Sequence, residues 1–289
     1  MPGLQQTSLR PKSIQELQQY LLTHPPDLAL FRLRGPFAVD VHEDRELRIS
    51  ATERIETDLY LSASAEKAPL VIFLHGYETS KRAHAYQAMH VASWGMHSLS
   101  VQLSKHGPWI GNGRTLARIV NLIQSSPALV DRRIDPDRIV LVGHSFGGAS
   151  VAVALAEGAR AAGGVLLDPA AVGRDLPTYL RRIAKPVIVI GADDELSAAR
   201  NRDYFYRYIR SVMEVSVRDA VHEDAQYPSE YSLEHFGRDP YTTEESQVAF
   251  ASAATAAAFS VSATGTFDYA WASFTPALEN GTFFNAKKK

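Results

Sequence analysis

The sequence predicts an α/β fold, a mostly parallel central sheet flanked by helices, and two observations carry that expectation. From Pro69 onward, short and mostly apolar runs alternate with helical stretches, as buried parallel strands and their crossover helices require. Within that alternation Arg138 to Ala149, RIVLVGHSFGGA, sets a strand, a Gly-flanked turn and the start of a small-residue helix in consecutive positions. A chain of 289 residues with 45% hydrophobic content can bury a large core. Residues 1–35 are expected to form an N-terminal helical extension, and residues 36–289 one α/β domain that includes C-terminal helices.

Each element has a local reason. Ser13-Ile14-Gln15-Glu16 resembles a capping box, so a helix should run from there to about Leu22, where His24-Pro25-Pro26 ends it. Phe37 to Val41, Glu46 to Ser50 and Ile55 to Leu61 nearly alternate apolar and polar residues, as half-exposed antiparallel edge strands do. Leu70 to Leu74 is the first buried strand, followed by His75-Gly76-Tyr77, a helix over His84 to Trp94 and a strand over Ser98 to Leu103. A Gly/Pro loop, His106 to Gly113, precedes a helix from about Thr115 to Gln124. Beyond the central motif come strands at Gly164 to Leu167, Pro186 to Ile190 and Met213 to Val217, with helices at Ala198 to Arg210, Glu244 to Ser260 and Tyr269 to Glu279. Lys287-Lys288-Lys289 reads as a solvated tail.

The central motif reads as a nucleophile elbow. Ile139 to Val142 suits a fully buried strand, Gly143-His144-Ser145-Phe146-Gly147 is G-x-S-x-G, and the next residues continue as a helix. A strand that reverses straight into a helix forces its central residue into a strained conformation, and side chains two positions either side would collide. Glycines clear that space. Ser145 then stands at the sheet edge, where the helix N-terminus favours developing negative charge. The plainer alternative is a Gly-rich turn that binds phosphate or only packs closely; the flanking strand and helix favour the catalytic reading.

Composition excludes several classes. Thirty basic and 32 acidic residues give a formal charge of −2, which offers no electrostatic basis for binding nucleic acid or an anionic membrane. The chain has no cysteine, so a thiolate nucleophile, disulfides and cysteine-ligated metals are ruled out. No run approaches membrane-spanning length, so no integral membrane association is expected. The first residues lack a basic region followed by an apolar core, which makes the cytoplasm the default compartment, although a trimmed secreted form reads the same.

This order of strands around a serine elbow resembles the α/β-hydrolase fold over roughly residues 36–260. HGYETS after a strand, RRIDPDRIVLVGHSFGG and GADDE after a later strand are similar to the polyester-hydrolase and cutinase branch of the dienelactone-hydrolase-like enzymes. GHSFGGA with VLLDP and AVHED also resembles platelet-activating-factor acetylhydrolases and chlorophyllases. Both likenesses imply a serine carboxylic-ester hydrolase that needs no cofactor or metal and acts on a small-molecule or polymeric ester.

A serine hydroxyl is a poor nucleophile at neutral pH, so Ser145 needs an imidazole within hydrogen-bond reach. Of ten histidines, the α/β-hydrolase order of serine, acid, histidine leaves His222 and His235. His222 follows the last parallel strand by a few residues and is assigned as the base; His235 lies in a Pro-, Gly- and charge-rich surface segment. The acid is Asp168, directly after Gly164 to Leu167, with Asp194 in GADDE as the alternative. The acetylhydrolase and chlorophyllase likeness matches at Asp168, and the polyester-hydrolase likeness near Asp194. Without a catalytic role, Asp168 is an Asp-Pro turn and Asp194 a helix cap ahead of Ser197.

An oxyanion needs two preorganised backbone donors. Phe146, next to the nucleophile, supplies one N–H, and the likeness to polyester hydrolases implies Tyr77 for the other. The Tyr77 ring and Trp109 are candidate substrate-binding groups, with a core role the alternative for Trp109. His75 either braces the loop or touches substrate. The connection between the Asp168 and Asp194 strands is short, so no large inserted lid is expected and the cleft should be open, unless the N-terminal segment folds over it. An acyltransferase would use the same residues if an alcohol outcompeted water. A non-catalytic binding protein on this scaffold, or a metal site from Asp193, Asp194, Glu195 and His222, has less support, because the triad is complete and those carboxylates are adjacent rather than convergent.

Overall fold

The structure is a computed structural model that describes residues 5–24, 26–64, 66–193, 198–227 and 242–289. Its strands are β1 (Val39–Arg48), β2 (Arg54–Ser62), β3 (Ala68–Leu74), β4 (His97–Val101), β5 (Ile134–His144), β6 (Gly163–Leu167), β7 (Val187–Gly191), β8 (Val212–Val217) and β9 (Phe283–Lys288). They form one sheet in the order β1-β2-β4-β3-β5-β6-β7-β8-β9. The run from β4 to β8 in that order is parallel throughout, and the edges at β2–β4, β1–β2 and β8–β9 are antiparallel.

Period-two alternation sends each central strand into two cores. Leu70, Ile72 and Leu74 of β3, with Ile139 and Leu141 of β5, face α4 (Trp109–Ser125) and α5 (Phe146–Ala156). Val71, Phe73, Val140 and Val142 face α3 (Ala85–Ser93) and the Ala-rich α8 (Glu244–Thr264). The remaining helices are α1 (Ile14–Thr23), α2 (Leu28–Phe31), α6 (Leu176–Arg182), α7 (Ala198–Tyr208) and α9 (Asp268–Glu279). Gly265, at φ 68, caps the end of α8.

The N-terminal extension shares the second core: Leu17, Leu21, Leu28 and Phe31 are buried there, and Phe31 lies 4.8 Å from the Trp94 ring. Ser13 caps α1 by accepting the Glu16 N–H at 3.0 Å, while Glu16 Oε2 accepts from Lys12 rather than closing the box on Ser13. Helix α1 does not cover the sheet's carboxyl edge. Gln18 accepts from Arg138 near the start of β5, the end opposite Ser145.

Several expectations are corrected. Phe37 to Val41 and Glu46 to Ser50 belong to one strand, β1, because an edge strand exposed on both sides tolerates the polar run between them and a register slip between His42 and Arg45 absorbs the irregularity. The Gly/Pro segment is not all loop. Helix α4 begins at Trp109, and Gly113 lies in it because a Cβ there would overlap Val153 and the Ser150 carbonyl, so the glycine serves close packing of α4 on α5. Lys287 and Lys288 are not a solvated tail but part of β9, pinned by Phe283 against Phe274 at 5.4 Å and by Lys287 on Asp203 at 2.6 Å. Lysines on an edge strand also discourage pairing with another chain.

The irregularity in β1 has a partner in the interior. Asp44, at φ 53, donates its N–H to Asp58 Oδ1 at 2.8 Å, and Lys81 Nζ reaches Asp44 Oδ1 and Asp58 Oδ1 at 2.6 Å each. Asp58 is fully buried. The clamp ties the β1–β2 edge to the end of the loop that carries Tyr77. Lys81→Met strands the Asp58 carboxylate without its cation and is expected to cost about 3 kcal/mol, read from urea unfolding midpoints at unchanged slope.

Candidate active site

Strand β5 delivers Ser145 at φ 55, ψ −122, a conformation that a non-glycine residue holds only when its surroundings over-determine it. They do. Ser145 N–H donates to the Leu167 carbonyl at 3.0 Å, and the Ser145 carbonyl accepts from Ala170 N–H at 3.0 Å, so the elbow is strapped to the end of β6. A Cβ at Gly143 would overlap the Gly147 carbonyl, and one at Gly147 would overlap the carbonyls of Leu74 and His75. Both glycines therefore answer the crowding expected from the motif.

Asp168, fully buried at φ 38, closes β6. His222 opens a short 3-10 turn, His222–Ala225, after β8. The structure brings the two together: His222 Nδ1 and Asp168 Oδ2 are 2.5 Å apart. An ionised carboxylate only accepts, so Nδ1 carries the proton and Nε2 is left as the basic nitrogen. The other carboxylate oxygen, Oδ1, accepts from the Ala192 N–H at 3.0 Å and from Arg202 Nη1 at 3.1 Å. Burial alone would push the Asp168 carboxyl up, but His222, Arg202 and the Ala192 N–H together hold it below its usual range. Asp194 and His235 lie outside the described residues. Asp193, the neighbour of Asp194 in GADDE, accepts the Asp219 N–H at 2.9 Å and so braces the turn ahead of His222.

His144 supports the same turn from beneath. Its Nε2 is 3.1 Å from the His222 carbonyl, which can only accept, so Nε2 is the protonated nitrogen. Its ring centroid is 4.5 Å from that of His222. Burial, reinforced by the neighbouring His222 and His84, lowers the His144 pKa well below the ordinary imidazole value and keeps the ring neutral.

The Tyr77 loop abuts the nucleophile: a Cβ at Gly76 would lie 3.1 Å from Ser145 Cβ. Among the described residues no acceptor takes the backbone N–H of Phe146 or of Tyr77, leaving both donors available. The Tyr77 side chain is 42% exposed, with its ring 6.2 Å from Phe146, and the Trp109 ring stacks on Phe146 at 4.9 Å. Tyr77 and Trp109 thus flank the residue next to the nucleophile. His75 is different, and its contacts are those of the bracing role, the first of the two weighed for it. It is fully buried, its Nδ1 donates to the Gly76 carbonyl at 2.9 Å and its Nε2 accepts from Leu103 N–H at 3.2 Å, so it braces the loop from inside.

Arg202 was not singled out from the sequence. Its only local signal was an arginine in the hydrophilic helix after GADDE, and a sequence separation of 34 from Asp168 hides the pairing. The connection between β6 and β7 carries only α6 and no inserted lid. Among the described residues no helix is long and apolar enough to cross a membrane.

Comparison with known proteins matches residues 71–278 to a family described as the alpha/beta hydrolase family. The chain is also similar to platelet-activating factor acetylhydrolase from Canis lupus familiaris, with 37% identity over 84 residues. That match covers 29% of this chain and 18% of the relative's length.

Proposed function

The chain belongs to the alpha/beta hydrolase family, and from that premise we propose that it hydrolyses carboxylic esters through an acyl-enzyme. Ser145 is the nucleophile, His222 the base and Asp168 the acid. His222 Nε2 takes the hydroxyl proton as Ser145 Oγ attacks the ester carbonyl. The oxyanion is held by the Phe146 and Tyr77 N–H groups, helped by the N-terminus of α5. Collapse of the tetrahedral intermediate expels the alcohol, which receives the proton from His222. Water, deprotonated by the same nitrogen, then releases the acid and restores Ser145. The observation that carries this reading is the 2.5 Å pair of His222 and Asp168 at strand ends beside a serine held at φ 55.

Within the class, pairing of His222 with Asp168 favours an acetylhydrolase-like lipid-ester hydrolase over a cutinase-like polyester hydrolase, whose likeness places the acid near Asp194. The partial similarity to platelet-activating factor acetylhydrolase points the same way. A short acyl group on a bulky alcohol is therefore the expected substrate class. The connection that holds only α6 leaves room for that alcohol, and the exposed Tyr77 ring offers it an apolar wall. A panel of nitrophenyl esters from acetate to palmitate, beside an acetylated glycerolipid and a polyester film, tests this. Turnover should fall with acyl length and be abolished by a fluorophosphonate. If no ester is cleaved and no fluorophosphonate adduct forms, the hydrolase reading fails; if the film and long acyl chains are preferred, the acetyl-ester reading fails.

A further inference from the structure

The oxygen of Asp168 that His222 does not use is met by a buried cation. Arg202, 4% exposed, projects from α7, and its Nη1 donates both to Asp168 Oδ1 at 3.1 Å and to the Ala192 carbonyl. The site is shaped for it: any Cβ at Gly191 would overlap the Arg202 side chain from Cδ to Nη1. With the Ala192 N–H also on Oδ1, the carboxylate is fixed from two directions and turns its other oxygen to His222.

We propose that Arg202 is a positioning residue for the acid–base pair: its guanidinium locks the Asp168 carboxylate against His222 and cancels much of its charge, so the imidazole works beside a nearly neutral pair. This rests on the reading of Ser145, His222 and Asp168 as a triad. A bare buried carboxylate stabilises an imidazolium strongly and would hold the base protonated well up the pH scale. A guanidinium on the far oxygen weakens that field and frees His222 to accept the serine proton at lower pH.

Among the described residues, other titratable groups surround the pair, with Glu223 adjoining His222 in its 3-10 turn. Burial keeps His144 of β5 neutral and pushes His84, beyond it, down to about 4. On the side of Arg202, Glu214 of β8 is fully buried and lies within electrostatic reach of the guanidinium. Lys287 of β9 sits 3.4 Å from Glu214 and 2.6 Å from Asp203, which keeps Glu214 from being an uncompensated rival for Arg202. Asp224 accepts the Val221 N–H at 2.9 Å and the Thr243 N–H at 3.0 Å, and Asp193 accepts from Asp219, so these carboxylates are committed to the His222 turn.

The test compares wild type with Arg202→Met, Arg202→Gln and Arg202→Lys. It reads kcat/KM for nitrophenyl acetate against pH and, independently of turnover, the His222 imidazole titration by 15N NMR. Removing the charge should move the acid limb and the His222 titration upward by on the order of one pH unit in both the Met and Gln variants. The Gln variant, which keeps a donor and most of the packing, should lose less kcat, and it carries the reading if the Met variant does not fold. Lys should restore the wild-type limb while kcat stays below wild type, because the shorter lysine stem does not place its ammonium where Nη1 meets both Asp168 and the Ala192 carbonyl. A merely structural role lowers the melting temperature and leaves the limb in place; unchanged titration of His222 in the Gln variant therefore overturns the proposal. If wild type cleaves no ester, the hydrolase reading falls and the NMR titration alone decides the role of Arg202.

Discussion

Ser145→Ala should keep the fold and lose kcat by roughly a millionfold, the scale seen when a triad nucleophile is removed. The substitution deletes one oxygen. Ser145 makes no side-chain cap bond to α5, and the strained backbone is held by the Leu167 and Ala170 straps, neither of which uses the hydroxyl. Alanine at the same positive φ is no more strained than serine, so the melting temperature should stay within a few degrees. Residual catalysis, from the Phe146 and Tyr77 donors acting on water attack, should be the only activity left. Turnover within tenfold of wild type would mean that another group attacks the ester. Steady-state rates on protein freed of contaminating esterase by two successive columns, with melting curves alongside, give the answer.

Asp168→Asn is expected to lower kcat by about 10⁴. Asparagine preserves the shape but presents either an N–H₂ or a neutral carbonyl to His222 Nδ1. The first drives the imidazole into the tautomer whose Nε2 is already protonated, and the second gives up the charge that stabilises the imidazolium. Asp168→Ala should be as inactive and less stable, because it leaves buried Arg202 without its carboxylate and the Ala192 N–H without its acceptor. Asp194→Ala, by contrast, should remain within a few fold of wild type. Near-normal turnover in Asp168→Asn, with activity lost in Asp194→Ala, would move the acid to the β7 strand end.

Local signals carried much of this into the sequence. The elbow was legible because its demands are local: steric clearance at Gly143 and Gly147, a buried strand before and a small-residue helix after. The parallel core was legible for the same reason, since the strands covered on both faces, β3, β5, β6 and β7, carry long apolar runs, although β4 and β8 also bury serines and Glu214. His222 emerged from chain order within the family. The choice between Asp168 and Asp194 could not be made from composition, because each follows an apolar strand, and only the sheet order places β6 beside the elbow strand. Long-range features were hidden. Arg202 reads as one more charge on a hydrophilic helix, and the space for it depends on Gly191 at the end of β7. The two roles of His75 could not be separated at a strand end, because the turn that tucks its ring inward onto Leu103 is not visible in the sequence. The lysines of β9 read as a tail because edge strands carry the same charges that solvated tails do.

The central claim, that Ser145 carries the acyl group between two half-reactions, is tested most directly by acid-quenching the reaction with nitrophenyl acetate within its first turnover and mapping the adduct by peptide mass. One acetyl group per chain on Ser145, formed together with a matching burst of nitrophenol and lost again on the timescale of kcat, is the predicted result. Steady turnover with no acylated Ser145 at any quench time, or with the acetyl group on another residue, would contradict it.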